Sequence, residues 1–340
     1  MSPRITWLLV IGISVVALGA TTIVGVLAWQ QYQARVSAPS AAETAAPGNW
    51  ADGDRIVFRS TASGQGYGHV ASVRLDDPLG PRALLDIPCD RVDATADEFV
   101  CLRTERGIAP SYAGTLHAND GSVLAEWPLS GIPSRTRISA DGSKVASTAF
   151  VTGHSYATIG FSTETVVYDI DGTSSGSLED FTLIVDGQPV APVDRNFWGV
   201  TFIDDSTFYA TAGLTTQGAT YLVRGDLRTR TLSSIAENVE CPSLSPDGTR
   251  IAFKRVIDRS GPTVHWTPAV YDLATGEVDL LPEDRSIDDQ IEWLDDDTIL
   301  YGMPREGQPG DTDVWALRVD ESKGPELFIE NAWSPSVVRD

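Results

Sequence analysis

Positive charge is what this sequence has least of. Its 340 residues carry 25 Lys and Arg against 47 Asp and Glu, a formal net charge of -22 with a pI near 4.4. Lysine itself occurs only at Lys144, Lys254 and Lys323. A phosphate backbone needs a basic face to displace its counterions, so this balance excludes nucleic acid as a partner. Amphipathic helices are missing too. Beyond Trp50 no stretch repeats its apolar residues at helical spacing, which removes the all-α and alternating α/β classes. The one Gly-x-Ser-x-Gly match, Gly172 to Gly176, is followed by no helical pattern, so it does not make the nucleophile elbow of a hydrolase. Cysteine is limited to three residues, Cys89, Cys101 and Cys241.

One long apolar run is present. Residues 5 to 29, ITWLLVIGISVVALGATTIVGVLAW, hold no charged side chain. At about 1.5 Å per residue they reach about 37 Å, enough to cross a hydrocarbon core of about 30 Å. A cleaved leader has a shorter apolar stretch of about 7–15 residues. Trp7 and Trp29 near the ends suit the two interfaces. The expectation is an uncleaved signal anchor over 5–29, preceded by a short cytoplasmic N-terminus over 1–4. Arg4 precedes the span and Arg35 is the first cation after it, which favours a cytoplasmic N-terminus and an extracytoplasmic remainder in the cell membrane. Residues 30–49, rich in Ala, Ser and Pro, read as a tether.

From residue 50 onward short β-prone runs alternate with Gly, Pro and Asp-Gly punctuation, the mark of strands and turns. The clearest unit is CPSLSPDGTRIAFKRV, Cys241 to Val256, in which Pro246 fixes φ and Gly248 supplies a positive φ for a hairpin turn. Weaker copies start at Asn49, Arg91, Arg137, Val200 and Ile291. Each is followed by a third strand and a fourth, among them HVASVRLD with RALLDI and ETVVYDID with FTLIVD. Six four-stranded antiparallel units predict an all-β, six-bladed propeller over residues 50–340. The last residues, FIENAWSPSVV, echo IAENVECPSLS from Ile235 and have no hairpin partner downstream. They are expected to pair with RIVFRST and close the ring as the inner strand of its first blade.

The Ser-Pro-Asp-Gly-Thr-Arg-Ile-Ala-Phe hairpin, its degenerate copies and the closing strand resemble the TolB-like six-bladed propellers of bacteria. The resemblance covers about residues 50 to 340. It implies protein or ligand binding at one end of the channel. The N-terminal α/β domain of TolB has no counterpart here, and the apolar anchor is a further departure, so the periplasmic TolB role is not implied.

Chain direction alternates along a blade, so the loops joining strands two and three share a face with the connections between blades. Long loops on a rigid scaffold are where binding concentrates. This face supplies the candidates Tyr67, His69, Tyr112, His154, Tyr156, His265, Trp266 and Arg305. Arg91, Arg135 and Trp198 lie in or beside the blade connections on the same face. The histidines fall in different blades, and Asp169-x-Asp171-Gly172 lacks the downstream glutamate of a calcium loop, so neither a metal nor a cofactor is expected. Cys89 and Cys101 flank the first hairpin of blade two. With its turn centred near Thr95 they face one another and are disulfide candidates. Cys241 would be left as a buried small side chain. The expected function is a membrane-anchored extracytoplasmic binding module for an envelope protein, peptide or glycan. The alternative is a lyase or glycosidase using channel carboxylates.

Overall fold

The computed structural model describes residues 3–45, 50–107, 109–151, 162–261, 263–320 and 323–339. It opens with one helix, α1 (Pro3–Ser37), long and apolar enough by length and composition to cross a membrane. A six-bladed propeller follows. Its inner strands are Ala332–Val338, Arg91–Ala94, Ile132–Ile138, Arg195–Phe202, Glu240–Leu244 and Glu292–Asp295, for blades one to six.

The hairpins form because their turns are held locally. In blade five the Ser245 hydroxyl donates to Asp247 at 2.6 Å, Thr249 N donates to the same carboxylate at 3.0 Å, and Arg250 N donates to Ser245 Oγ at 2.9 Å. Gly248 at φ +71° completes the turn. Blade three repeats this network at Ser139, Asp141, Gly142, Ser143 and Lys144 although Pro is absent there. Such side-chain bonds to backbone replace ladder bonds where the chain reverses. The acid-rich composition is therefore largely turn chemistry.

Second strands read as near-continuous apolar runs because both of their faces are buried. Strand alternation sends successive residues to different blade interfaces. Ile251 and Phe253 pack toward blade four, whereas Ala252 between them packs toward blade six. Ile56 and Phe58 likewise face blade six, and Val57 faces blade two. Among the described residues there is one apolar cluster for each pair of neighbouring blades.

The ring is closed as expected. Residues 332–338 pair antiparallel with 55–60, joining Arg55 to Val338, Val57 to Ser336 and Ser60 to Ala332. The closing strand is also tied sideways to blade two, since Ala94 N donates to Ser336 Oγ at 3.0 Å and Ser334 Oγ donates to Val92 O at 3.1 Å.

Blade three departs from the expectation. Its fourth strand is the short polar Ser174–Ser177, not the run FTLIVD. Thr182–Val185 from that run instead lies parallel to the outer strand of blade four, with Gln188–Val190 beyond it. An apolar run specifies burial, not which sheet edge provides it; here Phe181 and Leu183 complete the cluster between blades three and four. Glu179 stands at this junction, accepting from Ser177 Oγ at 2.6 Å and Thr165 N at 3.1 Å.

Cys89 and Cys101 form a disulfide with Cα atoms 5.6 Å apart. The register differs from a turn centred at Thr95: Cys101 is opposite Val92, and Cys89 reaches it from the blade connection. Closing this short loop contributes about 3 kcal/mol. Cys241 is buried with φ +52°.

The segment read as a tether is also engaged. Helix α1 continues to Ser37, and residues 41–45 run along blade one, with Arg82 N donating to Glu43 O at 3.0 Å and Ala45 N to Arg82 O at 2.8 Å.

Two outcomes follow. Val338 is buried in the cluster between blades one and two, so Val338→Ala should cost about 2 kcal/mol, read from denaturant midpoints. Stability should also depend on pH in two limbs. The Thr207 hydroxyl and Ser206 N pull the Asp204 carboxyl down to about 2, and Asp141 and Asp247 shift the same way beside Ser139 and Ser245. The contribution of Asp204 is present above the unfolded carboxylate range of about 4 and is lost as pH falls through about 2, and those of Asp141 and Asp247 are lost in the same direction. Burial pushes Glu179 up to about 7, so its protonated form favours the fold and that contribution is lost as pH rises from about 4.3 through 7. Glu179→Gln should flatten the curve between about pH 5 and 7. An unchanged slope would show that Glu179 does not set the upper limb.

Candidate functional site: the channel and its two mouths

Backbone register identifies one equivalent inner-strand position in every blade. It is Asp93, Arg137, Thr201, Ser243, Glu292 and Ser336, paired with Val100, Ala146, Tyr209, Ala252, Leu300 and Val57 of the second strands. Three of these six are charged, and they meet. The Arg137 guanidinium forms an ion pair with Glu292 across the channel and lies 3.5 Å from Asp93, while its Nη2 donates to Ile291 O at 3.1 Å. Ile138 N donates to Asp93 at 2.7 Å and Val337 N to Glu292 at 3.3 Å. Burial raises both carboxyls above their ordinary range, with Arg137 only partly opposing it. Arg137 itself is raised, because Glu292 and Asp93 outweigh the burial that works against its charge.

The segment Asp288–Glu292 is the hub of a second layer. Asp288 receives Lys254 of blade five at 2.6 Å and lies 3.6 Å from Arg135 of blade three. Asp289, fully buried, pairs with Arg91 of blade two at 2.6 Å and accepts from Gly302 N at 3.0 Å. Gln290 donates to Thr136 O at 3.1 Å. One connection thus ties blades two, three, five and six across the axis, and paired charge lines the channel.

The loop-face candidates separate into three groups. Arg91, Arg135 and Trp266 come together around Asp288 and Lys254, whose ammonium lies 4.8 Å from the Trp266 ring centre; Arg91 also stacks on Trp333 at 5.0 Å. Arg135 is only 8% exposed, so it is a channel residue and not a rim residue. Trp198 is equally buried, its ring filling the space a side chain at Gly213 would need. Tyr67, His69, Tyr112, His265 and Arg305 are half-buried and spread around the rim. His69 Nε2 lies 3.3 Å from Asp86, and Arg305 Nε donates to Asp313 at 3.0 Å. His154 and Tyr156 lie outside the described residues. Among the described residues no group of three or more His, Cys, Asp or Glu side chains is arranged to hold a metal ion.

Tyr67 is covered by α1. The Arg35 guanidinium donates to its hydroxyl at 3.0 Å and stacks on its ring at 5.3 Å, pairs with Asp311 at 3.0 Å, and donates to Pro309 O. Gly64 N donates to Arg35 O at 2.8 Å, satisfying a carbonyl of the last helical turn that has no partner within the helix. The helix end is therefore docked on the loop face, over blades one and six.

The opposite mouth, ringed by the hairpin turns, opens into a cavity of about 530 Å³. Arg137, Asp93 and Glu292 lie in its wall together with Phe202, Tyr209 and Trp293. The sequence reading missed these residues. The available signal was charge inside an inner strand immediately before each turn, as in Arg-Val-Asp, Arg-Thr-Arg and Ile-Glu-Trp.

The same fold recurs among solved structures. TolB from Acinetobacter baumannii matches 86% of this chain and 68% of its own length, with 18% identity and a TM-score of 0.58. More distant are an oligogalacturonate lyase in complex with manganese (12% identity, 77% of this chain and 74% of that one, TM-score 0.49) and a Mycobacterium tuberculosis puromycin-hydrolysing peptidase (12%, 83% and 44%, TM-score 0.47). At such identities the shared property is the fold, a TolB-like six-bladed propeller. No protein-family model and no curated protein matches the sequence.

Removing one partner of a buried ion cluster leaves uncompensated charge, which costs more than the cluster contributes when whole. Arg137→Met should therefore destabilise by about 3–5 kcal/mol at pH 7. The penalty should be smaller at a second, lower pH, because burial favours protonation of Asp93 and Glu292. Equilibrium unfolding at the two pH values checks this, and a pH-independent loss would mean that only packing was removed.

Proposed function

We propose that this chain is a membrane-anchored, extracytoplasmic binding module that engages an envelope protein, peptide or glycan through the turn-side mouth of its propeller. The observation that carries the reading is the docking of α1 on one face while the cavity opens on the other. A span that begins after Arg4 and ends beside the loop face holds that face toward the bilayer. The turn-side mouth then points away from the membrane.

The cavity has the makings of a recognition site. Phe202, Tyr209 and Trp293 offer aromatic surface for a peptide side chain or a sugar face, and Arg137 supplies charge at the wall. Turn carboxylates such as Asp204, Asp247, Asp296 and Asp297 surround it and favour a partner with cations at its rim. The second reading, a lyase or glycosidase, draws on Asp93 and Glu292, two carboxyls of raised pKa in the cavity wall. Against it, both are tied to Arg137 and to backbone N–H groups, which leaves neither of the two free to act as acid or base.

A photo-crosslinking residue placed at Ile203, beside this mouth, should capture a discrete envelope partner in intact cells, and one at Leu280 on the outer edge should not. Equal capture from both positions would overturn the assignment of the face. Turnover of an envelope glycan by the wild type, lost in Asp93→Asn with Glu292→Gln, would replace the binding reading with the enzymatic one. A reporter fused at Asp340 should be active only outside the cytoplasm.

A further inference from the structure

Helix α1 and blade two enclose a groove that neither the fold nor the turn-side cavity requires. Ala28, Trp29 and Tyr32 of α1 form one wall, and Thr104 at the end of the second strand of blade two and Arg106 in the loop that follows it form the other, around about 600 Å³. Tyr32, Thr104 and Arg106 also line an adjoining cavity of about 360 Å³ that continues past Arg103 to Arg59 and His69.

The cations here are not equivalent. Arg35 is committed to Asp311 and Tyr67, Arg59 to Cys89 O at 2.9 Å, and Arg103 to Glu105 at 2.6 Å. Arg106 is exposed, and among the described residues no carboxylate pairs with it. The apolar run ends at Trp29, and the next residues, Gln30 and Gln31, are polar. On the proposed topology, Trp29 marks the depth of the membrane interface, where an indole ring prefers to lie. Arg106 therefore stands at the level of the lipid phosphates, beside an aromatic wall that suits glycerol and the first acyl carbons.

We propose that this groove is a binding site for the headgroup of an anionic phospholipid, with Arg106 on the phosphate and Trp29 and Tyr32 against the lipid backbone. The proposal rests on the membrane-anchored reading of α1. Charge elsewhere supports the placement: the acidic hairpin turns lie on the opposite face, so the loop face is the one an anionic bilayer repels least. The bound lipid would fill the gap between anchor and propeller and hold the loop face against the membrane.

The test uses the full chain in detergent, titrated with phosphatidylglycerol or phosphatidylcholine and read by native mass spectrometry. Wild type should retain phosphatidylglycerol about fivefold better, the effect of one interfacial arginine. Arg106→Ala should abolish that preference with an unchanged unfolding temperature, and Arg259→Ala, an exposed cation in the corresponding loop of blade five, should leave it intact. Equal retention of the two lipids, or a preference that survives Arg106→Ala, overturns the proposal. So does displacement of the lipid by equimolar inorganic phosphate, which would make this a free-anion site. Alkaline carbonate separates the two levels. A chain extracted from membranes by carbonate sinks the anchor reading and this proposal together, whereas one that stays in the membrane without lipid preference sinks only the groove.

Discussion

The ion cluster centred on Asp288–Glu292 is the constraint on which the rest of the ring depends. Six inner strands converge on an axis, and the charged side chains there cannot all reach bulk water. Charge buried in this way is costly unless each group finds a partner of opposite sign and its remaining hydrogen bonds. Arg137, Asp93 and Glu292 meet that condition in one layer and Arg91 and Asp289 in the next, while the buried Arg135 and Lys254 reach out to the exposed Asp288. Because Arg137 and Glu292 belong to blades on opposite sides of the ring, their pair forms only when blade number and phase are right. An apolar plug of the same volume would bind the blades as well but would fix their phase less.

Around that axis the blades are held by less specific means. Neighbours share apolar clusters through strand alternation, and many residues of suitable size would serve at those positions. The last gap is closed by residues 332–338, whose ladder with 55–60 and hydroxyl contacts to Val92 and Ala94 pair what would otherwise be free edges. Ring closure and channel lining are coupled, since Ser336 occupies the same rung as Arg137 and Glu292 and Val337 N donates to Glu292. The C-terminal strand thus also serves as part of the channel wall.

The two faces differ because their loops have different tasks. Hairpin turns are short and need side chains that bond their own backbone, which concentrates aspartate on one face and leaves the cavity between the turns open. Loops between second and third strands are longer and free to vary. Two of them, in blades one and six, receive the end of α1 through Tyr67, Gly64 and Asp311. Docking of this kind converts a run that reads as a plain tether into part of the molecule's surface.

What the sequence determined by itself is what local physics determines. Ser-Pro-Asp-Gly and its copies specify hairpins through bonds within five residues, alternation specifies two buried faces, and the number of strands left over specifies closure at the C-terminus. The length of the apolar run specifies α1. Tertiary structure alone decided the rest. Phe181 and Leu183 announced burial but not that the strand beginning at Thr182 would join blade four. The cysteines were legible as a pair, but their register depends on how the connection at Asp90 bends. Arg91 and Arg135 read as rim residues, yet they point into the channel, and Arg137 and Glu292 went unnoticed because 155 positions separate them in sequence. A buried ion pair leaves no periodicity in a chain. Its meaning appears only when closure of the ring brings opposite blades to the same axis.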